Sequence, residues 1–187
     1  MHVIIFEGIA TSGKSTLIEL LKEKFLKSLN TEVFGEEQTH EPIMKDTHDP
    51  NAPFFKSLLA KVDEDSELII FDRLYLTQAF RAGINLDVYA EIEKELQTYS
   101  PLTVFLKVNE QAIAERVAKA VEHRRTSWGD YIKTKGNTPE EIANYYIQQQ
   151  QSQLELLKQS GLPYEIFDTT NHEYKKIADE IIKTISR

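Results

Sequence analysis

The chain is 187 residues long, sets 22 Lys and Arg against 30 Asp and Glu for a formal net charge of −8, and contains no cysteine. This length supports one buried core and a single domain over residues 1–187, and the lack of thiols excludes disulfides and thiolate metal sites. The acidic balance argues against general binding to nucleic acid polymers, whose affinity comes from cations that release counterions, and no apolar run approaches bilayer-spanning length.

Met1-His2-Val3 leads straight into the first apolar run and leaves no room for a charged leader, so the expected location is the cytoplasm, with no membrane partner. Val3 to Phe6 reads as a strand, and Leu17, Leu20, Leu21 and Phe25 fall at helical spacing. Between them lies Gly8-Ile9-Ala10-Thr11-Ser12-Gly13-Lys14-Ser15, the pattern G-x-x-x-x-G-K-S, followed by Thr16. Such a loop meets a phosphate chain with inward-pointing backbone N–H groups at the positive end of a helix. Gly8 and Gly13 allow the backbone angles and close approach that side chains block. Lys14 then reaches the terminal phosphates and the Ser15 hydroxyl helps hold Mg²⁺. An accidental glycine-bracketed turn is the alternative, but strand, loop and helix stand in the required order.

A surface helix is expected from Lys14 to Leu29, and Glu32-Val33-Phe34 begins a second strand. Its carboxyl end leads to Thr39-His40-Glu41-Pro42. Ligands of open α/β sheets bind beyond the carboxyl ends of strands, and Pro42 biases Glu41 toward an extended backbone that aims its side chain into the cleft. A solvated loop carboxylate is the competing account of Glu41. Residues Lys45 to Pro53 read as a loop, and Phe54 to Val62 as a helix whose Phe54 and Phe55 fit the core better than a ligand stack.

Leu68-Ile69-Ile70-Phe71 is a continuous apolar run suited to a parallel strand buried on both faces. Asp72 follows at its end, in place to orient Mg²⁺ opposite Ser15, and Arg73 offers a guanidinium fork for an anionic acceptor or a transferring phosphoryl group. A purely structural Asp–Arg pair is the alternative. Leu74 to Arg81 is expected to be helical, with Ala79 and Phe80 inward, Thr77, Gln78 and Arg81 available to a ligand, and Gly83 closing it. Asp87 reads as the cap of a helix to Thr98 that buries Val88, Ile92 and Leu96.

Leu102 to Val108 forms the fourth strand, and Asn109 caps a helix with Ile113, Val117 and Val121 on its buried stripe. The chain turns basic at Arg116 and His123-Arg124-Arg125. A cationic lid over about residues 123–137, with Arg124 and Arg125 neutralising phosphate charge, is one reading, and a solvated helix end complementing its dipole is the other. Thr138-Pro139-Glu140-Glu141 carries the capping-box pattern and starts a helix to Ser160 that includes Gln148 to Gln151. Tyr164 to Phe167 gives the fifth strand, Asp168-Thr169-Thr170-Asn171 a turn suited equally to an adenine ring or to helix initiation, and Ile177, Ile181 and Ile185 the buried side of a last helix. The histidines show no metal-ligand spacing, so the only metal expected is Mg²⁺ arriving with a nucleotide.

The interleaving predicts an α/β fold, a five-stranded parallel sheet flanked by helices with the phosphate loop after its first strand. Phe6-Glu7-Gly8 with Ser12-Gly13-Lys14-Ser15-Thr16, then Glu41-Pro42, then Asp72-Arg73 with Thr77-Gln78-Ala79-Phe80, resembles the P-loop nucleoside and nucleotide kinases, thymidylate kinase most of all. The resemblance implies ATP and Mg²⁺ as cofactors, a nucleotide or nucleoside acceptor, and a homodimer. It also implies that Asp72 and Arg73 work at the metal and acceptor phosphate while Arg124 and Arg125 cover the donor. Thymidylate kinases carry an arginine where this chain has His40, and an aromatic residue or histidine where it has Leu74. Deoxynucleoside kinases share the Glu-Pro pair, and their glutamate deprotonates a sugar hydroxyl, but they show Glu-Arg where this chain has Asp72-Arg73. The expected function is therefore a nucleoside monophosphate kinase. A deoxynucleoside kinase with Glu41 as general base and a P-loop ATPase or switch module are the alternatives.

Overall fold

The structure is a computed structural model that describes residues 1–25, 28–43, 48–123 (backbone alone for 121–123) and 131–185. Strands β1 (His2–Glu7), β2 (Thr31–Phe34), β3 (Leu68–Asp72), β4 (Ser100–Lys107) and β5 (Tyr164–Asp168) form one sheet in the order β2-β3-β1-β4-β5. Every pairing is parallel. The expected α/β architecture is therefore the observed one. Its cause is the composition of the inner strands: Val3 to Phe6 and Leu68 to Phe71 are buried throughout, because a strand with helices on both faces needs apolar side chains on both.

Alternation along β1 divides the core. Val3 and Ile5 pack with Phe55, Leu58, Tyr89 and Leu96 on one face. Ile4 and Phe6 pack with Leu17, Leu21, Ile177 and Ile181 on the other. Helices α1 (Lys14–Phe25) and α8 (Tyr174–Ile185) cover that second face, and their mutual packing follows from the i, i+4 spacing of those apolar residues. Helices α3 (Ala52–Leu59), α4 (Leu76–Ala82), α5 (Ala90–Leu96) and α7 (Pro139–Leu157) lie toward the first. A third cluster joins Ile9 and Val108 to Ile113 and Val117 of α6 (Glu110–His123) and to Ile132, Ile142 and Tyr146. Each fully buried aliphatic or aromatic side chain contributes about 1.5–3 kcal/mol, so these clusters hold the strand ends, and the loops beyond them, in register.

Several local expectations match. Thr138 Oγ1 accepts from Glu141 N at 3.2 Å and starts α7, Gly83 closes α4 at φ 65°, and Asn109 Oδ1 accepts from Gln111 N at 3.0 Å before α6. Phe54 and Phe55 meet edge to face, with Phe55 fully buried in the core.

Others do not. The segment after β2 is not a plain loop: α2 (Glu36–Thr39) forms one turn, held by Gln38 Oε1 accepting from Gly35 N and by the Thr39 hydroxyl donating to Asp72 O at 2.6 Å. Asp87 caps no helix. A 3-10 turn, Leu86–Tyr89, precedes α5, and its three-residue repeat leaves Val88 46 % exposed. Among the described residues no helix is long and apolar enough to cross a membrane.

Candidate active site

The Gly8–Ser15 loop joins β1, the central strand, to the start of α1. Gly8 has φ 133° and Gly13 φ 95°. A Cβ on Gly8 would come within 2.6 Å of Leu106 O, and one on Gly13 would collide with the Tyr174 ring, so the tightness of the loop depends on both glycines. Lys14 is buried, and its Nζ donates to Gly8 O at 3.0 Å and Ile9 O at 2.8 Å. Burial first, and then the Arg73 charge, lower the Lys14 pKa to about 7 against the opposing pull of Asp72. The hydroxyls of Thr11 and Ser12 are buried without a partner, while Ser15 and Thr16 are exposed at the mouth.

Parallel pairing sets Phe6 opposite Asp72, so the acid stands at the carboxyl end of β3 beside the loop. Asp72 is 6 % exposed and its Oδ1 has no partner. Burial raises its pKa, and Lys14 and Arg73 oppose the rise. Ser15 and Asp72 line one cavity of about 430 Å³ together with Glu36, Glu37 and Glu41. Among the described residues no group of three or more His, Asp or Glu is placed to hold a metal ion. A magnesium ion that keeps its waters and phosphate oxygens needs only one or two oxygens from the chain, and the Ser15 hydroxyl with unpartnered Asp72 Oδ1 fits that demand.

Arg73 follows in the left-handed region, φ 70°, with its N–H donating to Phe6 O at 2.9 Å. Its buried guanidinium pairs with Glu36, Nη1 to Oε1 at 3.2 Å. Glu41 lines the same cavity but is not extended. It opens a 3-10 turn, Glu41–Ile43, closed by Ile43 N donating to His40 O at 3.1 Å, and the burial of Ile43 overrides the bias imposed by Pro42. Thr77 and Gln78 are also not open to a ligand. Gln153 Nε2 donates to Thr77 Oγ1 at 2.9 Å, and Gln78 donates to Asp49 O. Arg81 donates to the Tyr131 hydroxyl. Arg124 and Arg125, with most of the expected lid, lie outside the described residues.

Glu7, Glu36 and Arg116 hold the candidate site together, although the motif reading names Glu7 and Arg116 without a role and leaves Glu36 out. Glu7 is buried at the end of β1, and its Oε1 accepts from Leu74 N at 3.0 Å and Leu76 N at 3.2 Å, which fixes the entry to α4 beside Asp72. An acid ending an apolar strand is the same signal that singles out Asp72. Arg116, in register with Ile113 on the buried side of α6, donates to Thr11 O at 3.0 Å and Thr170 O at 3.3 Å, and also to Thr169 O. It thereby joins the phosphate loop to the β5–α8 turn. Thr11, Gly13, Thr16, Arg116, Thr170 and Tyr174 are among the walls of a second cavity of about 420 Å³ that adjoins the loop.

No known protein family and no curated protein matches the chain in sequence. Solved structures match it over nearly its whole length. The YorR protein of Bacillus subtilis in complex with phosphorylated GDP is 20 % identical with a TM-score of 0.64, covering 98 % of this chain and 95 % of that one. A deoxyadenosine kinase from M. mycoides with products dCMP and dCDP is 17 % identical with a TM-score of 0.57, covering 100 % and 99 %. The same enzyme with dCTP gives 18 %, 0.53, and 98 % of each chain. At these identities the likeness establishes the fold: the chain has the P-loop α/β architecture, with a five-stranded parallel sheet.

Proposed function

We propose that this protein is a Mg-ATP-dependent phosphotransferase acting on a nucleoside monophosphate. One observation carries the reading: Ser15, from the loop after β1, and Asp72, from the end of β3, line a common cavity, and Asp72 Oδ1 makes no hydrogen bond. The structural relatives, described with deoxynucleotide products or phosphorylated GDP, support the same class of chemistry.

Phosphoryl transfer depends on positioning and charge neutralisation more than on covalent help from the protein. The loop amides and Lys14 would hold the donor phosphates, with Lys14 leaving the carbonyls of Gly8 and Ile9 to do so. Ser15 and Asp72 would hold Mg²⁺, which supplies charge neutralisation on the phosphate oxygens. As the thymidylate kinase resemblance implies, Arg73 would face the acceptor and Arg124 and Arg125 would cover the donor; Arg81, from α4, would join Arg73 at the acceptor. That resemblance makes thymidine monophosphate the first acceptor to try.

A second reading, a nucleoside acceptor, is favoured by the ion pair between Arg73 and Glu36. It presents a carboxylate in the cavity of Asp72 that could take a proton from a hydroxyl. In that case Glu36 joins Glu41 as a candidate base.

The deciding experiment measures ATP consumption with Mg²⁺ and each of the common nucleosides and nucleoside monophosphates. Turnover that requires a monophosphate, and vanishes in Lys14→Ala, supports the first reading. Turnover with nucleosides alone selects the second, and acceptor-independent hydrolysis at the same rate points instead to an ATPase or switch.

A further inference from the structure

His40, Arg73, Arg81 and Tyr146 come from separate stretches of chain, yet each keeps buried polar atoms without a partner: both ring nitrogens of His40, Arg73 Nε, Arg81 Nε and Nη1, and the Tyr146 hydroxyl. Contacts draw them together: His40 N donates to Glu36 O and Glu36 pairs with Arg73, while Arg81 donates to the Tyr131 hydroxyl, Lys135 lies over the rings of Tyr131 and Tyr145, and Tyr145 meets Tyr146 edge to face. The charges of Arg73 and Arg81 accordingly bear on both His40 and Tyr146. Unpaired buried polar atoms are costly and uncommon, and a cluster of them marks a place where a polar ligand completes the bonding.

His40 is the most telling member. It is 2 % exposed, and its backbone is fully engaged, with N donating to Glu36 O at 2.9 Å and O accepting from Ile43 N at 3.1 Å. The neighbouring Thr39 hydroxyl is tethered to Asp72 O at 2.6 Å, which pins the residue at the carboxyl end of β3 beside the catalytic cavity. Burial, followed by the fields of Arg73, Arg81, Lys14 and Lys135, holds the imidazole far below its ordinary pKa and therefore neutral. A neutral imidazole carries one N–H donor and one lone-pair acceptor. The surrounding cations suit a phosphate, which only accepts. A ring that both donates and accepts suits a hydroxyl. On a nucleotide the group next to the phosphate is the sugar.

We infer that His40 is a specificity-determining residue that hydrogen-bonds a sugar hydroxyl of the acceptor nucleotide, next to a phosphate held by Arg73 and Arg81. This rests on the phosphotransferase reading and names the part of the acceptor that the chain inspects. The position differs from the arginine of thymidylate kinases in just this respect: an arginine would add a further charge for a phosphate, and His40 adds a reader of an uncharged group.

The test compares wild type with His40→Phe, which fills the ring's volume without polar atoms, and His40→Gln, which restores a donor and an acceptor. Each is assayed with the preferred nucleoside monophosphate and with its analogues lacking one sugar hydroxyl. Wild type should favour the parent acceptor by about 5- to 150-fold in kcat/KM over the analogue missing the hydroxyl that His40 contacts, the effect of leaving one buried polar group unpaired. His40→Phe should erase that preference while the KM for ATP stays in place, and His40→Gln should recover part of it. Equal losses on parent and analogue in His40→Phe, or a shift in the KM for ATP of the same size, would overturn the inference. Calorimetric binding of the same acceptors without donor keeps the two claims apart. A His40-dependent preference in binding with no transfer would uphold the inference and defeat the kinase reading.

Discussion

The buried guanidinium of Arg73 lies 3.2 Å from the carboxylate of Glu36, and this pair spans the gap between the carboxyl ends of β2 and β3. Arg73 reaches it from a left-handed backbone, φ 70°, that a non-glycine residue adopts at a cost of roughly 1–3 kcal/mol, so the surrounding structure holds the side chain where it is. Glu36 is thereby fixed in the cavity of Asp72 and Ser15, and Glu41 lines the same cavity from the 3-10 turn that follows α2. Glu36→Gln should lower kcat by about 100-fold or more if the acceptor is a nucleoside, because a general base typically contributes that much. For a monophosphate acceptor the loss should be roughly 10-fold or less, since no hydroxyl proton has to be removed. Glu41→Gln should cost less than Glu36→Gln in either case. A larger loss from Glu41 would return the role to the Glu-Pro residue.

Glu7 gives the fold a dependence on pH. Burial raises its pKa above the ordinary 4.5, opposed first by the N–H of Leu74 and then by Arg73 and Lys14. A carboxyl whose folded pKa is raised binds its proton more tightly in the folded state. Its contribution to stability is complete below 4.5 and is lost as pH climbs through the folded value. Glu7→Gln keeps an oxygen for Leu74 and Leu76 and removes the titration. In urea unfolding, the stability of Glu7→Gln relative to wild type should therefore increase as pH rises from 4.5 toward neutrality. Parallel stability curves over that range would contradict the buried charge.

The sequence makes some of this site plain and hides the rest for identifiable reasons. Gly8, Gly13, Lys14 and Asp72 are legible because each is a local event, a required backbone angle or a charge at the end of an apolar run. Glu7 obeys the same rule at the end of β1 and was open to the same argument. Glu36 was not, since α2 is a single turn whose existence depends on Thr39 meeting Asp72 and on Glu36 meeting Arg73, partners more than 30 positions away. Val88 fits a helical stripe by spacing, but its stretch winds as a 3-10 turn and turns it outward. Arg116 looks from sequence like one more cation of a helix end, and only the turn brought up by β5 shows that it is enclosed by backbone carbonyls.

Gly13 joins two separate constraints, a φ of 95° and the ring of Tyr174 against its α-carbon. Gly13→Ala should destabilise the protein by about 1–3 kcal/mol from backbone strain, with an added steric part. Combining it with Tyr174→Ala should relieve only the steric part, because the backbone angle is unchanged. A double variant as stable as Tyr174→Ala alone, measured by urea unfolding, would show that the angle is not a constraint. ATP should raise the unfolding midpoint of Tyr174→Ala more than that of either Gly13 variant, since the added methyl stands in the loop whose amides would meet phosphate.

Within the run Gln148 to Gln151, Gln150 has a task its neighbours do not share. It is 1 % exposed, its Oε1 accepts from Val108 N at 2.8 Å, and its Nε2 donates to Val108 O at 2.8 Å. One side-chain amide thus satisfies both polar groups of a buried residue at the point where the chain leaves β4 for α6. Gln150→Leu is nearly isosteric but leaves that N–H and that C=O unpaired, and each orphaned group costs about 1–3 kcal/mol, so the expected loss is about 2–6 kcal/mol. Gln150→Glu should cost at least as much near neutral pH, because its carboxylate is a buried charge facing the C=O, and less at low pH, where the protonated carboxyl donates to that C=O. Both changes should also raise the KM for ATP, since α6 carries Arg116 to Thr11 and Thr170 from that same junction. Replacing exposed Gln151 by Leu is the control: it should leave stability within about 0.5 kcal/mol and the KM for ATP where it was. Equal effects from the two glutamines would mean that burial of this amide has no special role in holding the donor side of the site.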